Sequence, residues 1–138
     1  MLVQQLYTQC LAQGAYFIVS DGEAAIIDPL RETQPYLNLL TQNKASLKYI
    51  FETHFHADFV SGHVDLANKT NAQIVYGPQA QTTYKSHIAK DNESYNMPAK
   101  SSCVRLDLIA KSGLPTSPIN KVSPVKMQCG FLFSSSNK

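Results

Sequence analysis

Cysteine is scarce in this chain: three in 138 residues, at Cys10, Cys103 and Cys129. The number is odd, the spacing is wide and no CxxC pair occurs, so a disulfide framework is not indicated and reduced thiols in a cytoplasmic protein are expected. Charge is also thin, with 16% Asp, Glu, Lys and Arg and a formal net charge of +2. The lysines are scattered and the few aromatics do not alternate with them, which argues against nucleic acid as a partner. No apolar run approaches the ~20 residues that a bilayer crossing needs. Residues 1–13 have no basic stretch followed by an apolar core, so no signal peptide is expected either. What remains is a chain of single-domain length with an ordinary 43% apolar share, enough to bury a core.

Local signals agree with one another up to about His87. Tyr16-Phe17-Ile18-Val19 and Ala24-Ala25-Ile26-Ile27 are short apolar runs separated by Asp21-Gly22, a dipeptide suited to a tight turn, and together they predict a β-hairpin. Asp28-Pro29 ends the second strand, because proline lacks the amide hydrogen a ladder needs. Thr33 to Asn43 predicts a helix, with Thr33 as its cap, Pro35 in its first turn and Tyr36, Leu37 and Leu40 on one face. A strand follows over Leu47 to Phe51, ending at Glu52-Thr53. Ser61 is placed to cap a helix running to about Lys69, Ala72 to Tyr76 predicts another strand, and Gly77-Pro78 a further helix. The order β-β-α-β-α-β-α is an α/β layer pattern. Beyond Asp91 the pattern lapses into serine, lysine and spaced prolines, where only Cys103 to Ala110 and Gly130 to Phe133 look strand-like.

The chemistry concentrates at Thr53-His54-Phe55-His56-Ala57-Asp58. Zinc and iron need imidazole nitrogens and carboxylate oxygens converging to about 2.0–2.2 Å. On an extended chain leaving a strand, positions i, i+2 and i+4 share a face, so His54, His56 and Asp58 can point at one ion. The end of a strand is where sites form in open α/β sheets. A lone HxH recurs by chance on surfaces, whereas HxHxD at a strand end is more specific. Glu52 and Thr53 are placed to supply hydrogen bonds that orient the rings. Asp28 reads equally as a strand-end cap and as a carboxylate near the metal, and Gly62 as a sharp turn or simple helix entry. His63 and His87, each isolated on a predicted helix, read as surface or packing histidines.

Thr53-His54-Phe55-His56-Ala57-Asp58-Phe59-Val60-Ser61-Gly62-His63 resembles the signature loop of metallo-β-lactamase-fold proteins. It is most similar to the branch of persulfide (sulfur) dioxygenases and their rhodanese-fused relatives, with glyoxalase II more distant. Ala24 to Pro29 and Ile74-Val75-Tyr76-Gly77-Pro78 match the same pattern, and the resemblance covers roughly residues 2 to 90. It implies an αββα sandwich, of which residues 1–92 would form the N-terminal half and 93–138 a divergent, irregular tail. Glyoxalase II-like members hold two metals with HxHxDH and later histidines. Here Phe59 stands in place of the last histidine, which implies one ion, Fe(II) in the dioxygenase branch with Zn as the alternative. By position the resemblance makes His54 the direct ligand, with His56 and Asp58 lining the pocket and contacting water or substrate. The implied substrate is a small-molecule thiol persulfide such as glutathione persulfide; a homodimer is compatible with the family.

The family's later His-Thr-Pro-Gly-His-like segment and its aspartate have no counterpart after His87. Two expectations compete. Either the site is closed by other groups, His87 or Asp107 for instance, or the C-terminal third departs from the family's sequence through a frameshift or premature end in the gene. The functions to be weighed are therefore a persulfide dioxygenase-like enzyme, a glyoxalase II-like thioester hydrolase, and a non-catalytic remnant.

Overall fold

The computed structural model describes residues 1–8, 13–56, 60–90 and 92–98, with residues 8, 13 and 104–108 described by their backbone alone. Strand β1 (Leu2–Thr8) pairs antiparallel with β2 (Gln13–Ser20), which turns back into β3 (Glu23–Ile27). Asp21 and Gly22 both take positive φ, 46° and 82°, the conformation a two-residue hairpin turn with the sheet's own twist requires. Helix α1 (Gln34–Gln42) carries the chain over to β4 (Ser46–Glu52), parallel to β3, and α2 (His63–Thr70) to β5 (Gln73–Tyr76), parallel to β4. A short β6 (His87–Ile88) completes a six-stranded sheet in the order β1-β2-β3-β4-β5-β6. Strands β7 (Glu93–Met97) and β8 (Val104–Leu108) form a separate antiparallel pair.

Both faces of the sheet are covered, which explains the unbroken apolar runs. On one face Phe17, Ala24, Ile26 and Ile50 pack with Tyr36 and Leu40 of α1 and Leu66 of α2. On the other, Ile18, Ala25, Ile27, Phe51 and Val75 pack with Ala89 and with Tyr95 and Met97 of β7. Successive residues of a strand point to opposite faces, so Ala24 and Ile26 enter one cluster while Ala25 and Ile27 enter the other. The layers run helices, sheet, strand pair, the order expected for part of an αββα sandwich, with the strand pair supplied by residues 93–108 that the sequence reading assigns to the tail. Tyr95 stands edge-on to both Tyr49 and Phe51, at centroid separations of 5.2 and 5.0 Å, an arrangement aromatic quadrupoles favour.

The hairpin, α1, β4, α2 and β5 lie where the sequence places them, within the slack of element ends. Three details differ. The helix expected from Gly77-Pro78 does not form: Ala80 N closes a turn on Gly77 O, and the chain then enters β6. Gln79 to Ser86 lacks an apolar helical face, and Thr82 uses its hydroxyl on Tyr84 O and Ser86 Oγ, a competition with the backbone typical of such residues. His87 therefore sits on a strand. Strand β1 has no counterpart in the sequence reading, because Leu2-Val3-Gln4-Gln5-Leu6-Tyr7-Thr8 mixes apolar and polar positions without alternation. Thr33 is at the N-cap of α1 without a side-chain capping bond; its hydroxyl accepts from Lys69 Nζ at 2.8 Å instead. Strand β8 falls inside the expected Cys103 to Ala110; Gly130 to Phe133 lies outside the described residues. Among the described residues no helix is long and apolar enough to cross a membrane.

Candidate metal centre

Strands β3 and β4 run parallel and, after a register shift at Ala24/Ala25, pair Ile27 with Phe51, so their C-terminal ends reach the same edge. The ladder gains one more rung there, Asp28 N donating to Phe51 O at 2.9 Å. Asp28 then adopts φ 47°, a left-handed conformation that aspartate tolerates better than most residues. Its carboxylate meets the end of β4: Thr53 N donates to Oδ1 at 2.7 Å and Thr53 Oγ1 to Oδ2 at 2.5 Å.

That second bond fixes a proton. A threonine hydroxyl has one hydrogen and an ionised carboxylate can only accept, so the Thr53 hydroxyl hydrogen is committed to Asp28. The 2.8 Å contact between Thr53 Oγ1 and His54 Nδ1 then has His54 Nδ1–H as its donor. In a neutral imidazole the other nitrogen, Nε2, is left with its lone pair, the form in which histidine binds metals. His54 is exposed, so this edge is reachable.

His56 is held differently. Its side chain is 3% exposed, and Nε2 lies 3.3 Å from Asp28 Oδ1 and 3.4 Å from Glu52 Oε2. Burial acts to lower its pKa, but the hydrogen bonds and charges of Asp28 and Glu52 outweigh it and lift the imidazole to about 9. The two rings lie 4.2 Å apart between centroids. Among the described residues, Asp28, His54 and His56 each bring one donor atom within 4.8 Å of the others. The carboxylate of Asp28 already receives two bonds from Thr53 and faces His56, contacts of the kind that orient a neighbouring imidazole.

A further group stands behind the histidines. Glu52, at the end of β4, is buried and accepts from Ser61 Oγ at 2.6 Å, with Oε1 also 3.4 Å from His63 Nδ1. That last pair is close in space but lacks hydrogen-bond geometry. On its far side His63 Nε2 is 2.8 Å from Tyr84 OH and 3.3 Å from Tyr76 OH, and the two phenols are 2.7 Å apart. Burial pulls His63 below the ordinary histidine range despite the charge of Glu52, and raises the Tyr76 phenol, aided by the Tyr84 bond. Phe55, between the two metal-loop histidines, stacks on Tyr76 at 5.1 Å. Gly62 is required by close approach rather than by a sharp turn: a Cβ there would lie 2.4 Å from Leu30 O. Ser61, expected as the cap of α2, stands one residue before the N-cap, Gly62, which makes no side-chain capping bond; its hydroxyl accepts from His63 N at 3.3 Å and also lies 2.9 Å from Pro29 O.

Of the residues the sequence singles out, His54 and His56 come together, with Asp28 and Glu52-Thr53 orienting them. Asp58 and the side chain of Asp107 lie outside the described residues. His63 belongs to the surroundings of the site through Glu52, a link that the isolated histidine in the sequence does not reveal. His87 pairs with Glu93 at 2.6 Å. Tyr76 and Tyr84 carried no sequence signal of their own.

The family model described as the metallo-beta-lactamase superfamily matches residues 9–124. The chain belongs to that superfamily. The match extends past residue 92 and takes in β7 and β8. The fold of the superfamily implies a divalent metal, and the histidine–carboxylate group above fits one. Hydroxyacylglutathione hydrolase of Nostoc punctiforme is 38% identical over 78 residues, covering 54% of this chain and 30% of that protein. Among solved structures, a metallo-beta-lactamase from Staphylococcus aureus superimposes with a TM-score of 0.65 at 30% identity, covering 80% of this chain and 34% of the other. ETHE1 from Myxococcus xanthus gives 0.68 at 22% identity, covering 82% and 49%; at that identity the likeness shows the fold alone. The chain thus spans about a third to a half of the length of these superfamily members.

Proposed function

We propose that this superfamily member is a metal-dependent enzyme acting on a small thiol-derived substrate, with one Fe(II) held from the side of His54, His56 and Asp58. The observation that carries the metal reading is the convergence of Asp28, His54 and His56, each with one donor atom within 4.8 Å of the others, with His54 exposed. The single ion is supported by Phe59, which removes a ligand that two-metal members of the resemblance use.

In the leading reading the substrate is a persulfide of the glutathione type. One persulfide, one O₂ and one water give one thiol, one sulfite and two protons. Two histidines with a carboxylate and open positions suit iron for oxygen chemistry, and when bound the ion supplies the redox steps that join oxygen to sulfur. The chain's own contribution is to fix ring orientation through Asp28 and Thr53 and to wall one side with Phe55 and Tyr76. A second reading, thioester hydrolysis with zinc, is favoured by the relative named hydroxyacylglutathione hydrolase.

The test loads the protein anaerobically with Fe(II) or Zn(II). Stoichiometric O₂ uptake and sulfite release with glutathione persulfide on the iron form are expected. Cleavage of an acylglutathione by the zinc form, without O₂ uptake by the iron form, would favour the hydrolase. Neither activity, together with no tight metal binding, would leave the remnant.

A further inference from the structure

Asp28 alone does not explain why a second carboxylate is buried at this edge. The Glu52 side chain is 1% exposed, and burying a carboxylate is costly unless partners compensate it. Around it stand two imidazoles and a hydroxyl: Ser61 Oγ donates to Oε1 at 2.6 Å, His56 Nε2 lies 3.4 Å from Oε2, and His63 Nδ1 lies 3.4 Å from Oε1 in contact without hydrogen-bond geometry. The proton inventory beyond His63 is consistent with this. A neutral His63 with its hydrogen on Nδ1, the edge beside Glu52, has Nε2 left to accept from Tyr84 OH at 2.8 Å, and the Tyr84 oxygen can accept from Tyr76 OH at 2.7 Å. Tyr76 closes the third side at 3.3 Å.

We propose that Glu52 is a positioning residue for His56, and that His63, braced by Tyr76 and Tyr84, holds Glu52 in that role. One carboxylate on Nε2 leaves the imidazole free to rock about a single contact. Two carboxylates from different strand ends, Asp28 after β3 and Glu52 at the end of β4, fix the plane of the ring. The groups around Glu52 come from Ser61 and His63 at the start of α2 and, behind His63, from Tyr76 at the end of β5 and Tyr84 in the loop after it. The proposal rests on the metal reading above, in which His56 serves the ion.

Co(II), bound by the full-length chain, is the probe, because its visible absorption reports ligand geometry without any activity. Wild-type protein is expected to take up one Co(II). Glu52→Gln, which keeps size but loses charge, is expected to weaken uptake about 10–100-fold and to shift the visible bands. His63→Gln is expected to do the same more weakly, about tenfold or less. Glu52→Asp is expected to restore part of the affinity, and Glu23→Gln, which removes a surface ion pair with Lys48, to leave both affinity and spectrum unchanged. In the metal-free chain, the ring ¹⁵N shifts of His56 are expected to show Nε2 protonated in wild type and to move in both Glu52→Gln and His63→Gln. Wild-type affinity and spectrum in a folded Glu52→Gln would overturn the positioning role alone. If that variant does not fold, unchanged Co(II) bands and ¹⁵N shifts in His63→Gln overturn it. Failure of wild type to bind Co(II) removes the metal reading and this role with it.

Discussion

Two histidine–carboxylate contacts on this sheet look alike on paper and differ in kind. His87 and Glu93 join β6 to β7 at 2.6 Å, the shorter distance, yet the histidine is 35% exposed. His56 meets Asp28 and Glu52 at 3.3 and 3.4 Å, with 3% of its side chain exposed. Distance therefore does not rank them. Water screens the first pair, as it does most surface ion pairs. The second is enclosed between parallel strand ends and has its orientation over-determined. In the first, Glu93 is held below the usual carboxylate range by the Lys90 N–H and then by His87; in the second, it is the histidine that shifts upwards.

The largest effect is expected from Asp28→Ala. It removes two bonds from Thr53 and one partner of His56, so Co(II) affinity is expected to fall ~100-fold or more and urea denaturation to show a loss of roughly 3 kcal/mol. Asp28→Ala behaving no worse than Glu93→Ala would abolish the distinction drawn above. His54→Ala separates function from stability: metal uptake is expected to fall by about two orders of magnitude, while stability changes by less than ~0.5 kcal/mol because the ring is exposed. Met97→Ala does the reverse. It opens a cavity under β7 and is expected to cost about 2–4 kcal/mol, with Co(II) binding unchanged at a temperature where the variant is folded.

The smallest effect concerns Glu93. Its carboxyl is depressed in the folded state, so its contribution is present above the ordinary carboxylate range and is lost as pH falls through the depressed value. The melting temperature of wild type is expected to drop slightly more steeply than that of Glu93→Gln between pH 5 and pH 3. Identical acid limbs would show that the exposed pair contributes nothing.

Much of this was legible in the residues because the sheet is covered on both sides. Tyr16 to Val19 and Ala24 to Ile27 are apolar throughout, and such runs leave little doubt about a strand. The spacing of His54 and His56 was enough to expect the two rings side by side, and they lie 4.2 Å apart between centroids. The role of Asp28 was not decidable, since it depends on β3 and β4 lying side by side, and its bonds to Thr53 span 25 residues of chain. His63 hid for the same reason: its partners are Glu52 and Tyr84, brought to it by α2 and by the turn after β5. His87 was assigned to a helix that Thr82 and Ser86 do not support, and its partner Glu93 comes from the next strand.

The dipeptide Asp28-Pro29 grips the metal loop at both of its ends. The aspartate holds Thr53 N, and the proline carbonyl accepts from Gly62 N at 3.2 Å. Two amides fastened to one dipeptide are coupled, because releasing either slackens the common anchor. The amides of Thr53 and Gly62 are therefore expected to exchange with deuterated solvent at closely matched rates, slower than those of neighbouring exposed turns, and Asp28→Ala to accelerate both together.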